Sequence, residues 1–389
     1  MSLSAIRGWR LASVLLLVSA IVTATIMPAL AQAAPEAAAP TWTQTTLTEP
    51  VLRLFTPSSG ALFARTATSL HRSDDAGQSW RAVSLPATPD QDADGIVVDP
   101  TNHATIYLAA ADGIYKTDDD AASWRIVLPA IPSTPEQPGT PTFAALAVSP
   151  ADPNVVYVLS TSPVSNDLRA QRSPDGGQTW ETLPNVGALP PGTIPQKCTW
   201  SVPLLQPHQT DPNRLFRAAA CNIRGDEVPL KESRDGGQTF SEVIYKYPLG
   251  QVTRLVGGQP DAPQRLYLGV TKDYRGGGSL LVRSDDDGGS WRTLQEYTGG
   301  GGMSGGGPDV SVRGLALDPT NSDRLLVGLN ATLQDRPQPP TLRLSLDGGA
   351  SWVDASPEGI GKLADVAFGV DGRMLFAASE TGVWRAALP

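Results

Sequence analysis

The sequence predicts an all-β fold, a seven-bladed β-propeller of four-stranded antiparallel blades closed by its N-terminal strand. Three observations carry that prediction. One octet recurs six times between residues 73 and 352. Four short strand-like segments surround the copies, with no helical periodicity between them, which is how propeller blades read in a sequence. A further strand of the same kind, residues 41–47 (TWTQTTL), opens the domain with no octet before it.

Composition agrees with this reading. The 389-residue chain holds 38 Gly and 35 Pro, a turn-rich composition that stays below the level of low-complexity chains. A hydrophobic share of 40% with nine Trp supplies a large core and excludes a disordered chain. The net charge of −9 leaves no basic footprint, so nucleic acid is excluded as a partner.

Residues 1–31 read as a secretory signal peptide. Arg7 and Arg10 precede an apolar run from Leu11 to Met27, followed by the small-x-small sites Ala29-Leu30-Ala31 and Ala31-Gln32-Ala33. An uncleaved anchor is the alternative, because the run nearly reaches spanning length, and only then does the protein contact a membrane. Residues 32–40 form a linker and residues 41–389 a single domain. The expected setting is secreted, periplasmic or at the cell surface.

The octets are SDDAGQSW (73–80), TDDDAASW (117–124), SPDGGQTW (173–180), SRDGGQTF (233–240), SDDDGGSW (284–291) and SLDGGASW (345–352). Their fixed positions are Ser73, Asp75, Gly77 and Trp80 in the first copy, and Asp119 and Trp124 in the second. Ser173, Asp175, Gly177 and Trp180 follow in the third, and Ser233, Asp235, Gly237 and Phe240 in the fourth. Ser284, Asp286, Gly288 and Trp291, then Ser345, Asp347, Gly349 and Trp352, complete the set. The second copy departs at Thr117 and Ala121, and the fourth ends in Phe240. Hydroxyl and carboxylate side chains of this length bond backbone groups inside a tight turn. Gly supplies a positive φ there, and the aromatic residue packs between neighbouring sheets. These residues are therefore structural, and no catalytic role is assigned to any of them.

Ser-x-Asp-x-Gly-x-Ser/Thr-Trp is the Asp-box, or bacterial neuraminidase repeat. The chain resembles that superfamily over almost all of residues 41–389. In size and blade count it is most similar to single seven-bladed propellers of the photosystem II assembly factor type, which implies a non-catalytic binding scaffold. Sialidases are a more distant likeness. They imply three Arg clamping a carboxylate, a Tyr–Glu nucleophile pair and an Arg-Ile-Pro motif on the first strand, whereas residues 51–57 here read VLRLFTP. Xyloglucanase-type enzymes pair two such propellers around a cleft, and this chain has one.

The strands follow blade by blade. In the second unit they are expected at 95–99, 105–109, 113–117 and 123–128, and in the sixth at 312–318, 324–329, 341–345 and 351–355. At the end, 374–378 and 382–385 supply strands two and three of a last unit, and residues 41–47 return as its outer strand. Seven blades result. The post-octet strands are expected to begin at the aromatic residue itself.

Long connections cluster on one face, between strands four and one and between strands two and three. They include 85–94, 129–141, 161–171, 184–197, 222–231, 272–279, 298–309 and 330–341. Loop variation confined to one face points to the ligand face. Candidate ligand-binding residues there are Trp200, Arg224, Arg254, Tyr274, Arg275, Asp309 and Arg313. Arg254 and Arg313 each lie six residues before a proline, which places them at equivalent positions on adjacent inner strands. Arg clusters beside an aromatic side chain suit a carboxylate, a sulfate or a sugar acid; solvated loop charges that pair with one another are the alternative. The preferred function is an exported, monomeric, non-catalytic propeller that binds a protein or a glycan on this face. The alternative is a sialidase-like glycoside hydrolase acting on acidic sugars.

No cofactor is expected apart from calcium. Asp90, Asp92 and Asp94, alternating before Gly95, can wrap a hard cation, with a solvated acidic loop as the competing reading. Three His and two Cys argue against a zinc site on numbers alone. Residues 300–305 match GxGxxG, but Pro308 and a strand follow in place of a helix, so a dinucleotide site is rejected. Cys198 and Cys221 flank a hairpin turning at 208–212 and are expected to form a disulfide across it.

Overall fold

A computed structural model describes residues 38–90, 95–130, 142–161, 168–184, 201–220, 230–240, 242–246, 250–272, 278–298, 309–333 and 336–389. They form seven sheets of four antiparallel strands each, arranged as a ring, with no helix among the described residues. The blades occupy 53–83, 96–129, 142–183, 201–245, 250–298 and 309–354, and the last combines 363–387 with the strand Trp42–Gln44. That strand pairs with Gly382–Ala387 in the register Trp42↔Ala386 and Gln44↔Trp384, so the ring closes as its sequence predicts.

The octets explain why each blade turns where it does. In the third copy Ser173 Oγ donates to Asp175 Oδ1 at 2.9 Å and accepts the Gly177 amide at 2.7 Å. The same carboxylate accepts the Thr179 amide at 2.8 Å and its hydroxyl at 2.6 Å. All six copies repeat this set, including the second, where Thr117 replaces serine. These donors hold the Asp119, Asp175 and Asp286 carboxyls down at about 2, with the hydroxyls of Ser123, Thr179 and Ser290 as the leading cause. The fifth octet position needs a positive φ: Gly237 has φ 92°, and a Cβ there would lie 2.8 Å from Leu183 Cδ1. Ala121 adopts φ 68° at the same place without the glycine.

The aromatic residue ends the turn, and the fourth strand begins after it, at Arg81, Arg125, Glu181, Arg292 and Val353. This differs from the expected start at the aromatic itself. At three of these positions the indole bonds the preceding blade: Trp124 Nε1 donates to Ser84 O at 3.0 Å, Trp180 to Val127 O at 2.9 Å, and Trp291 to Ile244 O at 2.7 Å. The hairpin of blade six is longer than expected. Asn321–Leu333 pairs with Arg336–Ser345, so most of the expected loop 330–341 is strand.

Seven apolar clusters fill the seven seams between neighbouring blades. One example joins Leu54 and Leu62 of blade one to Phe376, Ala378 and Val383 of blade seven. On strand two, a buried tyrosine reaches across three of the seams: Tyr107 Oη donates to Gly176 O, Tyr157 Oη to Pro212 O and Tyr267 Oη to Ser322 O, at 3.1–3.4 Å. Lys116 and Arg283, on the adjacent strands, lie over the Tyr107 and Tyr267 rings.

His208 makes the seam between blades four and five sensitive to pH. The ring is 4% exposed, its Nδ1 accepts the Thr210 amide at 3.2 Å, and it packs on Gly258, where a Cβ would lie 2.5 Å from Nε2. Burial lowers its pKa from 6.5, and the nearby Arg214 adds to this against Asp287, Asp211 and the Pro263 carbonyl. The unfolded ring therefore binds a proton at higher pH than the folded one. Its contribution is complete above about 6.5 and is lost as pH falls below that value. Melting temperature is expected to drop between pH 7.5 and 5.5, and His208→Gln to flatten that drop. An equal drop in the variant would assign the effect to other groups.

Candidate functional site

The seven inner strands run from the face of the long connections to the face of the octets, so their first residues ring the loop-face mouth of the channel. Five of these strands carry an irregularity near that end: between Phe143 and Ala145, Ser201 and Leu204, Val252 and Arg254, Val312 and Gly314, and Leu363 and Asp365. Bulges of this kind re-aim side chains.

They also separate the two candidate arginines. Arg254 pairs with Gly269, whereas in blade six Gly314 pairs with Gly328 and Arg313 is the bulged residue. Thr253, not Arg254, thus occupies the place of Arg313. The spacing to the prolines misleads because the blade-five turn holds one residue more, Gly258 at φ 70°. Arg254 is half-buried, with Nη1 donating to Thr253 O at 2.9 Å; Arg313 is exposed, with Nε donating to Ser311 Oγ at 3.2 Å. Matching positions for a two-arginine clamp are therefore absent.

Three described carboxylates on this side of the ring have partners, Glu296 among them on the outer strand of blade five. Asp365, buried on the inner strand of blade seven, accepts the Leu54 amide at 3.1 Å and faces Arg53 Nε at 3.7 Å. Glu296 takes the Lys272 ammonium. Asp90 Oδ2 accepts the Phe143 amide of blade three at 3.2 Å, while its carbonyl takes Arg65 Nη2 of blade one at 3.1 Å. Of the expected calcium set, Asp90 is thus a link across three blades, and Asp92 and Asp94 lie outside the described residues.

The remaining candidates are mostly beyond what the structure describes. Trp200, Arg224, Tyr274 and Arg275 lie outside the described residues, as do Cys198, Cys221 and the segment 1–37. Asp309 opens the inner strand of blade six opposite Thr332, and its side chain is not among those described. In the hairpin expected to carry the disulfide, the assumed symmetry put Ser201 opposite Ala218. The observed partner is Ala220, because the hairpin turns about Asp211, with Pro207 opposite Leu215, and not midway between the two cysteines.

Sequence reading missed the Arg53–Asp365 pair and a cavity of about 300 Å³ beyond the bulges, walled by blades one and four to seven. No local pattern marks either feature, since both arise from residues of different blades meeting at the axis.

Known proteins share this ring. No family model matches the chain. A curated xyloglucanase from Paenibacillus sp is 23% identical over 353 residues, covering 82% of this chain and 32% of that protein. Among solved structures, the GH74 xyloglucanase from Xanthomonas campestris superposes with a TM-score of 0.62 at 17% identity, and the GH74 enzyme of Niastella koreensis with 0.60 at 18%. Each match covers 89% of this chain and 53% of the other. The structure of YCF48 bound to D1 peptide matches with a TM-score of 0.53 at 14% identity, over 90% of this chain and 96% of that one. The chain thus spans about half the length of the GH74 enzymes and a third of the Paenibacillus protein. At these identities the likeness shows the fold.

Proposed function

We propose that this protein is an exported Asp-box propeller that binds an extended glycan across its loop face without cutting it. The observation that carries the reading is the state of three carboxylates among the described residues of the loop side. Glycoside hydrolysis needs two carboxyl groups at a set separation, one to protonate and one to attack or activate water. Asp90, Asp365 and Glu296 are instead engaged by backbone amides, a guanidinium and an ammonium. The glycan is favoured over other ligands by the likeness to the Paenibacillus xyloglucanase across most of the chain. The bulged Arg313, exposed at the mouth, is the described side chain best placed to meet it.

A peptide ligand is the second reading, supported by the match to nearly the whole of YCF48 bound to D1 peptide. Hydrolysis of a GH74-type β-glucan is the third, resting on the same relatives as the glycan itself.

Native gels cast with xyloglucan test the proposal. The protein is expected to be retarded, Arg313→Ala to be retarded less, and no new reducing ends to appear on prolonged incubation. Mobility unchanged by xyloglucan would remove the glycan, and release of reducing ends would establish the hydrolase.

A further inference from the structure

The 300 Å³ cavity lies along the channel, from the Arg53–Asp365 pair to the octet-face ends of the inner strands. Its walls come from the inner strands of blades one and four to seven and from the turn that follows the inner strand of blade four. Two features distinguish it from a plain gap at the axis. Gln209 and Gln259 line it, half-buried, and neither amide has a partner among the described residues. Around them the wall is mixed: Leu255, Leu315 and Val366 give apolar parts, while Gln206, His208, Arg53 and Asp365 make most of the exposed lining polar.

Half-buried amides without protein partners favour a ligand that both accepts and donates hydrogen bonds, because each primary amide offers two N–H groups and one carbonyl oxygen. A hydroxyl has the matching chemistry. The charged groups in the wall, Arg53 and Asp365, already face each other, so a charged ligand would enter without a counter-ion. The volume sits at the lower end of small-molecule pockets, enough for one ring and not for a polymer segment. A largely polar lining with apolar patches at Leu255, Leu315 and Val366 suits the hydroxyl rim and C–H faces of a sugar ring.

The geometry points to a second binding site here, for a neutral, hydroxyl-rich ligand the size of a monosaccharide. Gln209 and Gln259 are its polar contacts. This site is independent of the loop-face reading and does not require it.

Saturation-transfer NMR with methyl β-D-glucopyranoside as probe tests it, with glucuronate as the charged comparator. Transfer to the neutral glycoside is expected, with weaker transfer to glucuronate. In Gln209→Ala/Gln259→Ala the signal should be lost while the melting temperature and the retardation by xyloglucan are unchanged. Each single variant, with its signal reduced, serves where the double variant fails to fold. An absence of transfer in the parent protein, meaning water alone fills the cavity, would overturn the site. So would a preference for glucuronate, or a signal that survives both substitutions. Loss of xyloglucan retardation in the parent protein, with the glycoside signal intact, would instead remove only the loop-face proposal.

Discussion

Deleting residues 41–48 is expected to abolish cooperative folding of the ring. The strand Trp42–Gln44 is the outer strand of blade seven, and its bonds span the whole sequence. Trp42 Nε1 donates to Ala355 O at 2.6 Å, Thr45 N to Val383 O at 2.9 Å, and Val383 N to Leu47 O at 3.0 Å. Leu47 is buried in the seam between blades seven and one, and Thr45 Oγ1 accepts the Trp80 indole at 3.2 Å. Removing the segment uncovers the edge of Gly382–Ala387 and opens two apolar seams, an arrangement that invites edge-to-edge association. The loss is expected to reach ~5 kcal/mol or more, comparable to the whole stability of an ordinary domain. Calorimetry should show no cooperative transition near that of the parent, and light scattering should show aggregation. A soluble truncation with a parent-like melting temperature would contradict closure by this strand.

Arg214→Met is expected to be the most damaging single substitution in the seam between blades four and five. The Arg214 side chain is 4% exposed and bonds both Glu232, itself 8% exposed, and Asp287 in the fifth octet. Its guanidinium also lies 4.9 Å from the Phe216 ring centroid. Removing one member of a buried ion set strands the others, at a cost of about 3–5 kcal/mol. Arg234, which contacts Glu232 at 3.2 Å and Asp287 at 3.1 Å, keeps the effect toward the lower figure. The double variant Arg214→Met/Glu232→Leu should lose less than the single one, because it leaves no buried charge unpaired. Urea unfolding of the two variants and the parent measures the coupling. A single variant within 1 kcal/mol of the parent would show that the set is solvated.

The two features that were legible in the sequence are local or end-to-end. Ser173, Asp175 and Thr179 close their turn within seven residues, so the octet spacing carries its own geometry and needs no partner from elsewhere. The unpaired strand at 41–47 and the two trailing strands could only complete each other. What escaped depends on contacts between blades. Three tryptophans bond carbonyls about 40–55 residues earlier, at Ser84, Val127 and Ile244, links between blades that the octet spacing does not encode. Bulges at Thr253 and Arg313 have no signature in composition, and one additional glycine in a turn broke the proline spacing that had aligned Arg254 with Arg313. Gln209, in a turn, and Gln259, at the end of an inner strand, are about fifty residues apart, and only the ring brings them to one cavity.

Hydrogen exchange of the full chain with and without a xyloglucan heptasaccharide tests the central claim most directly. The account predicts slowed exchange in the first residues of the inner strands, 201–204, 250–254 and 309–313, with the octet turns at 173–180 and 284–291 unchanged and the sugar recovered intact. Protection at the octet turns, or a shortened sugar, would contradict it.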